Sequence, residues 1–167
     1  YGVLKLSKSS FGELFSEGGI EEAVVNAVCR YEGAYYCGCD SGLVVIDEVS
    51  GKSISNELTE LLKGARIRSI MVDSKNNLWL ATYSDKGLVR YGADGAIVTF
   101  TQNKSGATSD RFRCLEELAD GTIVAGTGNG INLIKGNKVV GTITQKDGLE
   151  NAQILCIQEK GDGSFYV

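Results

Sequence analysis

The 167-residue chain contains no histidine and no proline, and only one methionine and one tryptophan. Without histidine, Ser-His-Asp and Cys-His triads, His-ligated metal sites and imidazole acid–base chemistry are excluded. Without proline, turn chemistry falls to Gly, Asn and Asp, and glycine is plentiful at 22 residues. No apolar run approaches the length needed to cross a bilayer. An excess of positive charge is also missing: 17 basic residues stand against 21 acidic ones, a formal net charge of −4. That argues against a nucleic-acid partner or an anionic-membrane surface, because neutralising phosphates takes clustered positive charge. The 43% hydrophobic and 23% charged fractions are those of a globular protein, with one domain the default at this length.

The five cysteines, Cys29, Cys37, Cys39, Cys114 and Cys156, are odd in number and cannot all pair internally. Free thiols are the expectation, and they leave the compartment open. Cys37-Gly38-Cys39 brings two thiols close, but a zinc site needs about four ligands and no second pair exists. These two read as small, semi-buried strand residues, and neither a metal nor a cofactor is expected. The opening run Tyr1-Gly2-Val3-Leu4-Lys5-Leu6 reads as a strand, as in a piece cut from a longer protein.

What the chain does have is an internal repeat. An apolar-x-x-apolar pattern recurs at Val25–Val28, Ile67–Ile70, Phe112–Leu115 and Ile154–Ile157, in steps of 42, 45 and 42 residues. Gly followed by an aliphatic residue recurs at Gly2-Val3, Gly42-Leu43, Gly87-Leu88 and Gly130-Ile131, in steps of 40, 45 and 43. Between them runs a short hydrophobic strand with a small residue near its end: Tyr35–Cys39, Leu78–Thr82 and Ile123–Thr127. In the third repeat, 111–117, 122–127, 130–135 and 138–144 read as four strands, with turns at Asp120-Gly121 and Gly136-Asn137. The fold class is therefore all-β: β-propeller blades, about four four-stranded antiparallel repeats of about 42 residues. The expected boundaries are 24–64, 65–108 and 109–150 for three blades, with 1–23 the end of a truncated blade and 151–167 the start of another. Ser55–Gly64 has helical spacing, with Ser55 or Asn56 to cap its start and Gly64 its end, so a short helix is expected on one rim.

The run Ser69–Thr82, with its Leu78-Trp79-Leu80-Ala81-Thr82, followed by Lys86-Gly87-Leu88-Val89-Arg90-Tyr91, resembles the two-component-regulator propeller repeat. Asp120-Gly121, Gly126-Thr127 and Gly130-Ile131 continue the resemblance, as does Asp147-Gly148-Leu149. The first repeat departs most, with Cys37-Gly38-Cys39 in place of aliphatic-Gly-Thr. The resemblance implies a slice of a larger propeller, on the extracytoplasmic (periplasmic or extracellular) side of a bacterial inner-membrane receptor. The output of such a receptor is a histidine kinase or a diguanylate cyclase. This segment carries no output motif. The function it implies is a non-enzymatic, ligand-sensing propeller portion of a bacterial signal-transduction receptor, whose partners are a small-molecule or oligosaccharide ligand and the rest of the receptor chain. Two alternatives remain: a propeller enzyme of the lyase or lactonase kind, and a protein-interaction scaffold. Metal carboxylates or histidine converging on the axis would mark the first, Gly-His and Trp-Asp markers the second, and neither set is present. Exposed strand edges make self-association into a homodimer an expectation.

Several motifs have bland readings. Gly126–Gly130 looks like a phosphate loop but leads into a strand, so it reads as a turn. Trp79 aligns with Tyr36, Val124 and Tyr166 and reads as inter-blade core. Asp73, Asp120 and Asp162 read as turn formers. Ala27, Ser69, Cys114 and Cys156 form a small-residue register that suggests tight packing of inner strands. Propeller ligands bind where loops converge at one mouth, and the candidate binding residues there are Arg66, Arg68, Arg111, Arg113, Tyr83, Asp85, Asn129 and Asp40. Four arginines at matched positions would suit a carboxylated or sulfated ligand. The favoured reading of the arginines is nonetheless a solvated rim paired with Asp85, Asp110 and Glu116.

Overall fold

The computed structural model describes residues 23–167. The strand expected at Tyr1–Leu6, and all but the last residue of the truncated blade placed over 1–23, lie outside the described residues. Three four-stranded antiparallel meanders follow one another. The first comprises β1 (Val25–Tyr31), β2 (Ala34–Cys39), β3 (Gly42–Asp47) and β4 (Ser53–Ile54). The second comprises β5 (Ile67–Val72), β6 (Leu78–Thr82), β7 (Leu88–Tyr91) and β8 (Ile97–Phe100). The third comprises β9 (Phe112–Glu117), β10 (Ile123–Thr127), β11 (Gly130–Lys135) and β12 (Lys138–Ile143). A two-stranded hairpin, β13 (Gln158–Glu159) with β14 (Phe165–Tyr166), comes last. The first strands β1, β5, β9 and β13 touch in succession, so the sheets stand side by side like vanes with their first strands innermost.

The apolar-x-x-apolar marker has a physical cause. A regular strand returns to the same face every second residue, so a spacing of three should put the two apolar residues on opposite faces. In β5, Ile67 pairs with Thr82 while Ser69 pairs with Ala81, so Arg68 is an extra residue. In β9, Phe112 pairs with Thr127 while Cys114 pairs with Gly126, so Arg113 is extra. In β1 the extra residue is Asn26. Each is a β-bulge, and it brings the apolar residues on either side back to one face. Ile67 and Ile70 accordingly share one core and Phe112 and Leu115 the next; Ile154 and Ile157, outside any strand, are both buried in the third.

Cores form between neighbouring sheets. Tyr36, Val45, Ile67, Leu78 and Leu80 fill the first interface, together with Leu58 and Leu62. Trp79, stacked on Phe100 at 5.6 Å between centroids, fills the second with Phe112 and Ile123. The inter-blade reading of Trp79, Tyr36 and Val124 therefore holds. Tyr166 differs: it is 64% exposed, with the Lys160 ammonium 3.9 Å from its ring centroid.

The Gly-aliphatic marker is a steric one. Gly87 (φ +72°), just before β7, and Gly130 (φ +118°), the first residue of β11, lie against the backbone at the end of the fourth strand. A Cβ there would lie 2.1 Å from the Phe100 carbonyl oxygen or 2.4 Å from that of Ile143. The preceding Thr82 and Thr127 hydroxyls donate to the carbonyls of the same two glycines, at 2.6 and 2.9 Å, which closes each hairpin.

Helix α1 (Glu57–Leu61) lies in the predicted segment, and Asn56 is its cap: its side chain accepts from the Thr59 N–H while the Thr59 hydroxyl accepts from the Asn56 N–H. It packs into the fold, since Leu58 and Leu62 are fully buried in the first core. In the blade start expected over 151–167, which carries the marker Ile154–Ile157, a first strand forms only at Gln158–Glu159. Gln158 pairs with Tyr166 and Glu159 with Phe165, while Ile154 and Ile157 are buried in the third core without being part of a strand. A second short helix, α2 (Gln102–Ser105), was not anticipated; Thr101 caps its start and Gly106 (φ +72°) its end. Thr144 caps a 3₁₀ turn at the matched place in the next repeat.

Candidate functional site

The register places the start of each first strand beside the end of the second, as Ile67 beside Thr82 and Phe112 beside Thr127. The fourth strands end there too, with Phe100 opposite Leu88 and Ile143 opposite Ile131. One rim therefore collects the bulges, the second-to-third-strand hairpins and the capped turns that lead to the next sheet.

The eight candidate residues divide on this rim. Tyr83, Arg111, Arg113 and Asn129 come together around one cavity of about 450 Å³, with Gln102, Ser109, Asp110, Gly128 and Gln153 completing the wall. Tyr83 forms an isolated antiparallel bridge with Arg111. The Arg111 and Arg113 guanidinium carbons lie 5.3 and 4.8 Å from the centroid of the Tyr83 ring. Arg113 Nη2 donates to Tyr83 Oη at 3.3 Å, while Arg113 Nε is buried without a partner. Arg66 and Asp40 do not line this cavity. They pair with each other at 2.8 Å, and Asp40 also accepts from the Asn26 amide at 2.7 Å. Arg68 occupies the bulge of β5, half-buried, and Asp85 is exposed with Lys86 3.9 Å away.

The expected pairing of the arginines with Asp85, Asp110 and Glu116 is not what the structure contains. Asp110 accepts the Gln102 N–H at 2.7 Å. Glu116 accepts from Gln158 Nε2 and the Glu159 N–H, both at 3.2 Å. The bulge is the reason: it turns Arg113 towards Tyr83 at the rim, whereas Glu116 lies further along β9 and faces the next sheet. Among the described residues, neither Arg111 nor Arg113 has a carboxylate salt-bridge partner.

The segment that delivers Ser109, Asp110 and Arg111 is pinned from below. Asn132, fully buried on β11, accepts the Thr108 N–H at 2.8 Å and donates to the Thr108 hydroxyl at 3.0 Å and the Ala125 carbonyl at 3.3 Å. The Thr108 and Thr127 hydroxyls lie 2.9 Å apart. Sequence reasoning passed over Asn132, although a lone amide in Ile131-Asn132-Leu133-Ile134 is a signal of a buried polar network. It also missed Gln102, whose helix was unforeseen.

Cys39, at the rim end of β2, and Cys37, two residues before it, are fully buried. Burial, and then the neighbouring Cys39, push the Cys37 thiol up to about 11. Among the described residues no group of Cys, Asp and Glu is arranged to hold a metal ion. Gly126–Gly130 is a hairpin turn between β10 and β11, as read.

Residues 61–84 match the two component regulator propeller family. Among solved structures, the extracellular domain assigned to a hybrid two component system of B. thetaiotaomicron is similar at 18% identity and a TM-score of 0.70, over 89% of this chain and 20% of that one. Virginiamycin B lyase from Staphylococcus aureus, in a catalytically inactive His-to-Ala form with quinupristin, is similar at 15% identity and a TM-score of 0.68, over 88% of this chain and 49% of that one. The computationally designed Ika4 protein is similar at 14% identity and a TM-score of 0.62, over 93% and 96%. No curated protein matches the chain. At such identities the likeness carries the fold alone. The chain spans only 17–20% of the length of the extracellular domains it resembles. Among the described residues no helix is long and apolar enough to cross a membrane.

Proposed function

From its two-component-regulator propeller repeat, we propose that this chain is a non-enzymatic, ligand-sensing portion of a bacterial signal-transduction receptor, held on the outer side of the membrane. The observation that carries the reading is the match of residues 61–84 to that family. The rim geometry supports it: three successive sheets present their bulges and hairpins at one end, where a polar cavity of about 450 Å³ opens. That volume falls within the range of about 300–1,000 Å³ usual for small-molecule sites. Tyr83, Arg111, Arg113 and Asn129 are the proposed contacts, with Arg66, Arg68, Asp40 and Asp85 flanking them on the same rim. The ligand is a small molecule or an oligosaccharide, and the rest of the receptor chain is the other partner.

The lyase-like alternative has the similarity to virginiamycin B lyase in its favour. That enzyme is described as catalytically inactive when a histidine becomes alanine, and this chain has no histidine at all. Sensing therefore fits better than turnover. The test couples binding to output. Candidate small molecules and oligosaccharides are screened for thermal stabilisation of the full chain, and each hit is then applied to cells carrying the intact receptor and a reporter of its output. A hit that switches the reporter, and is recovered unchanged after incubation with the purified chain, is the expected outcome. Chemical conversion of the hit, or stabilisation with no change in output, refutes the reading.

A further inference from the structure

We infer that the cavity around Tyr83 recognises an oxyanion, a carboxylate or sulfate group carried by the ligand, through Arg111 and Arg113. This deepens the ligand-sensing reading and rests on it. The chain as a whole is acidic, with a net charge of −4, so two adjacent arginines without an ion-pair partner call for a cause. Both guanidiniums lack a carboxylate salt-bridge partner among the described residues, whereas Arg66 on the same rim is neutralised by Asp40 at 2.8 Å. The one carboxylate in the cavity wall, Asp110, accepts the Gln102 N–H at 2.7 Å and forms no ion pair with either arginine.

The hydrogen-bonding capacity of the wall is donor-rich. Arg113 Nη2 donates to Tyr83 Oη, so the phenol accepts there and keeps its own O–H proton to donate elsewhere. Arg113 Nε is buried and makes no hydrogen bond. An unsatisfied buried donor on a cation is costly, so the internal hydrogen bonds of the site leave Arg113 incompletely satisfied. Stacking of both guanidiniums near the Tyr83 ring holds them in place before the ligand arrives, so little side-chain freedom is lost on binding. The bulge at Arg113 supplies the aim, because it turns this one side chain out of the alternation of β9. Two forked donors beside a phenol fit the planar oxygens of a carboxylate or the tetrahedral oxygens of a sulfate.

The test is a ¹⁵N NMR titration of the full chain at constant ionic strength with three probes: glucuronate, glucose 6-sulfate and uncharged glucose. Saturable shifts at 83, 111–113, 129 and 153 with one or both anions, and none with glucose, are expected. A response to glucuronate alone identifies a carboxylate, and a response to both identifies general oxyanion recognition. Arg111→Gln and Arg113→Gln should each weaken anion binding about tenfold. Tyr83→Phe, which keeps the ring and the fold, should weaken it by a smaller factor. Lys135→Gln, an equal loss of charge at the opposite end of β11, should leave it within about twofold. Equal losses in Arg113→Gln and Lys135→Gln, or no saturable shift with either anion, overturn the inference. Glucose binding that survives both arginine substitutions also overturns it, while the ligand-sensing reading stands. Anion binding that never alters the intact receptor's output sinks the sensing reading and leaves the oxyanion site in place.

Discussion

Asp73 shows how much one side chain can carry in a repeat of this kind. It lies at the turn between β5 and β6, almost buried, and accepts from the Lys75 and Asn77 N–H groups, the Asn77 amide and the Trp79 indole, the last at 2.8 Å. Burial pushes its carboxyl up, but the donors of Trp79, Asn77 and Lys75 outweigh it and hold the group below the ordinary carboxylate range. A depressed folded value stabilises the protein above the unfolded value of about 3.9. That stability is lost as the pH falls through the lower folded value. Asp73→Asn should therefore cost about 1–3 kcal/mol at pH 7. In urea melts the gap to the parent should shrink steadily below about pH 4; a gap that stays constant down to pH 2 contradicts this account. The thiols give a second prediction at this scale. Cys37 and Cys39 are fully buried and Cys156 is exposed, so iodoacetamide on the folded chain should label Cys156 first. Peptide mapping that finds Cys37 or Cys39 modified ahead of Cys156 would refute the packing described. At the residue scale the sequence showed Asp73 as a turn former and stopped there. Its bond to Trp79 depends on how two strands pair, which no local pattern records.

At the scale of the element, the repeat was legible because its markers are steric. The glycine at the head of the third strand recurs because a carbonyl passes 2.1 Å from where a Gly87 Cβ would sit, and the threonine before that turn because its hydroxyl donates to the glycine carbonyl. Gly87→Ala should destabilise by about 2–4 kcal/mol, combining positive φ with a backbone clash. Gly95→Ala is the control: its φ is also positive, at +79°, but no atom lies within 4 Å of the added carbon. Its cost should be near 1 kcal/mol. Thermal melts that rank the two equally would remove the steric explanation of the marker. Bulges were harder to read. An apolar spacing of three is also the spacing of a helix face, and only the ladder shows Arg68 and Arg113 as inserted residues. For the same reason the four arginines looked equivalent in sequence, whereas pairing with Asp40 separates Arg66 from the two that share Tyr83. Another device went unread because it needs two repeats at once. Glu117 of β9 accepts the Ser74 N–H and hydroxyl in the preceding sheet, at 2.7 and 2.6 Å, and Glu159 of β13 accepts the Ala119 N–H at 2.8 Å. The two glutamates stand 42 residues apart, one repeat, and each latches its sheet to the turn before it.

Over the whole molecule, stability follows from neighbours. Among the described residues, the main contacts of each sheet are with the one before and the one after, as in other repeat architectures, so local stability should grade along the chain. Strands β6 and β10 are buried along their full length and have a partner strand on each side. The β13–β14 hairpin has two paired positions, and Tyr166 is 64% exposed. Hydrogen exchange followed by mass spectrometry should find β6 and β10 protected longest and 158–167 exchanging fastest among the described strands. Glu117→Ala removes one latch between the second and third sheets and should cost about 1 kcal/mol. Faster exchange should then spread to the 73–77 turn on one side and to the third sheet on the other, leaving β1–β4 slow. If that substitution instead accelerated exchange evenly through all three sheets, the chain would be unfolding as a single unit. Nearest-neighbour packing would then be the wrong account of how the rim, and the cavity upon it, is held in shape.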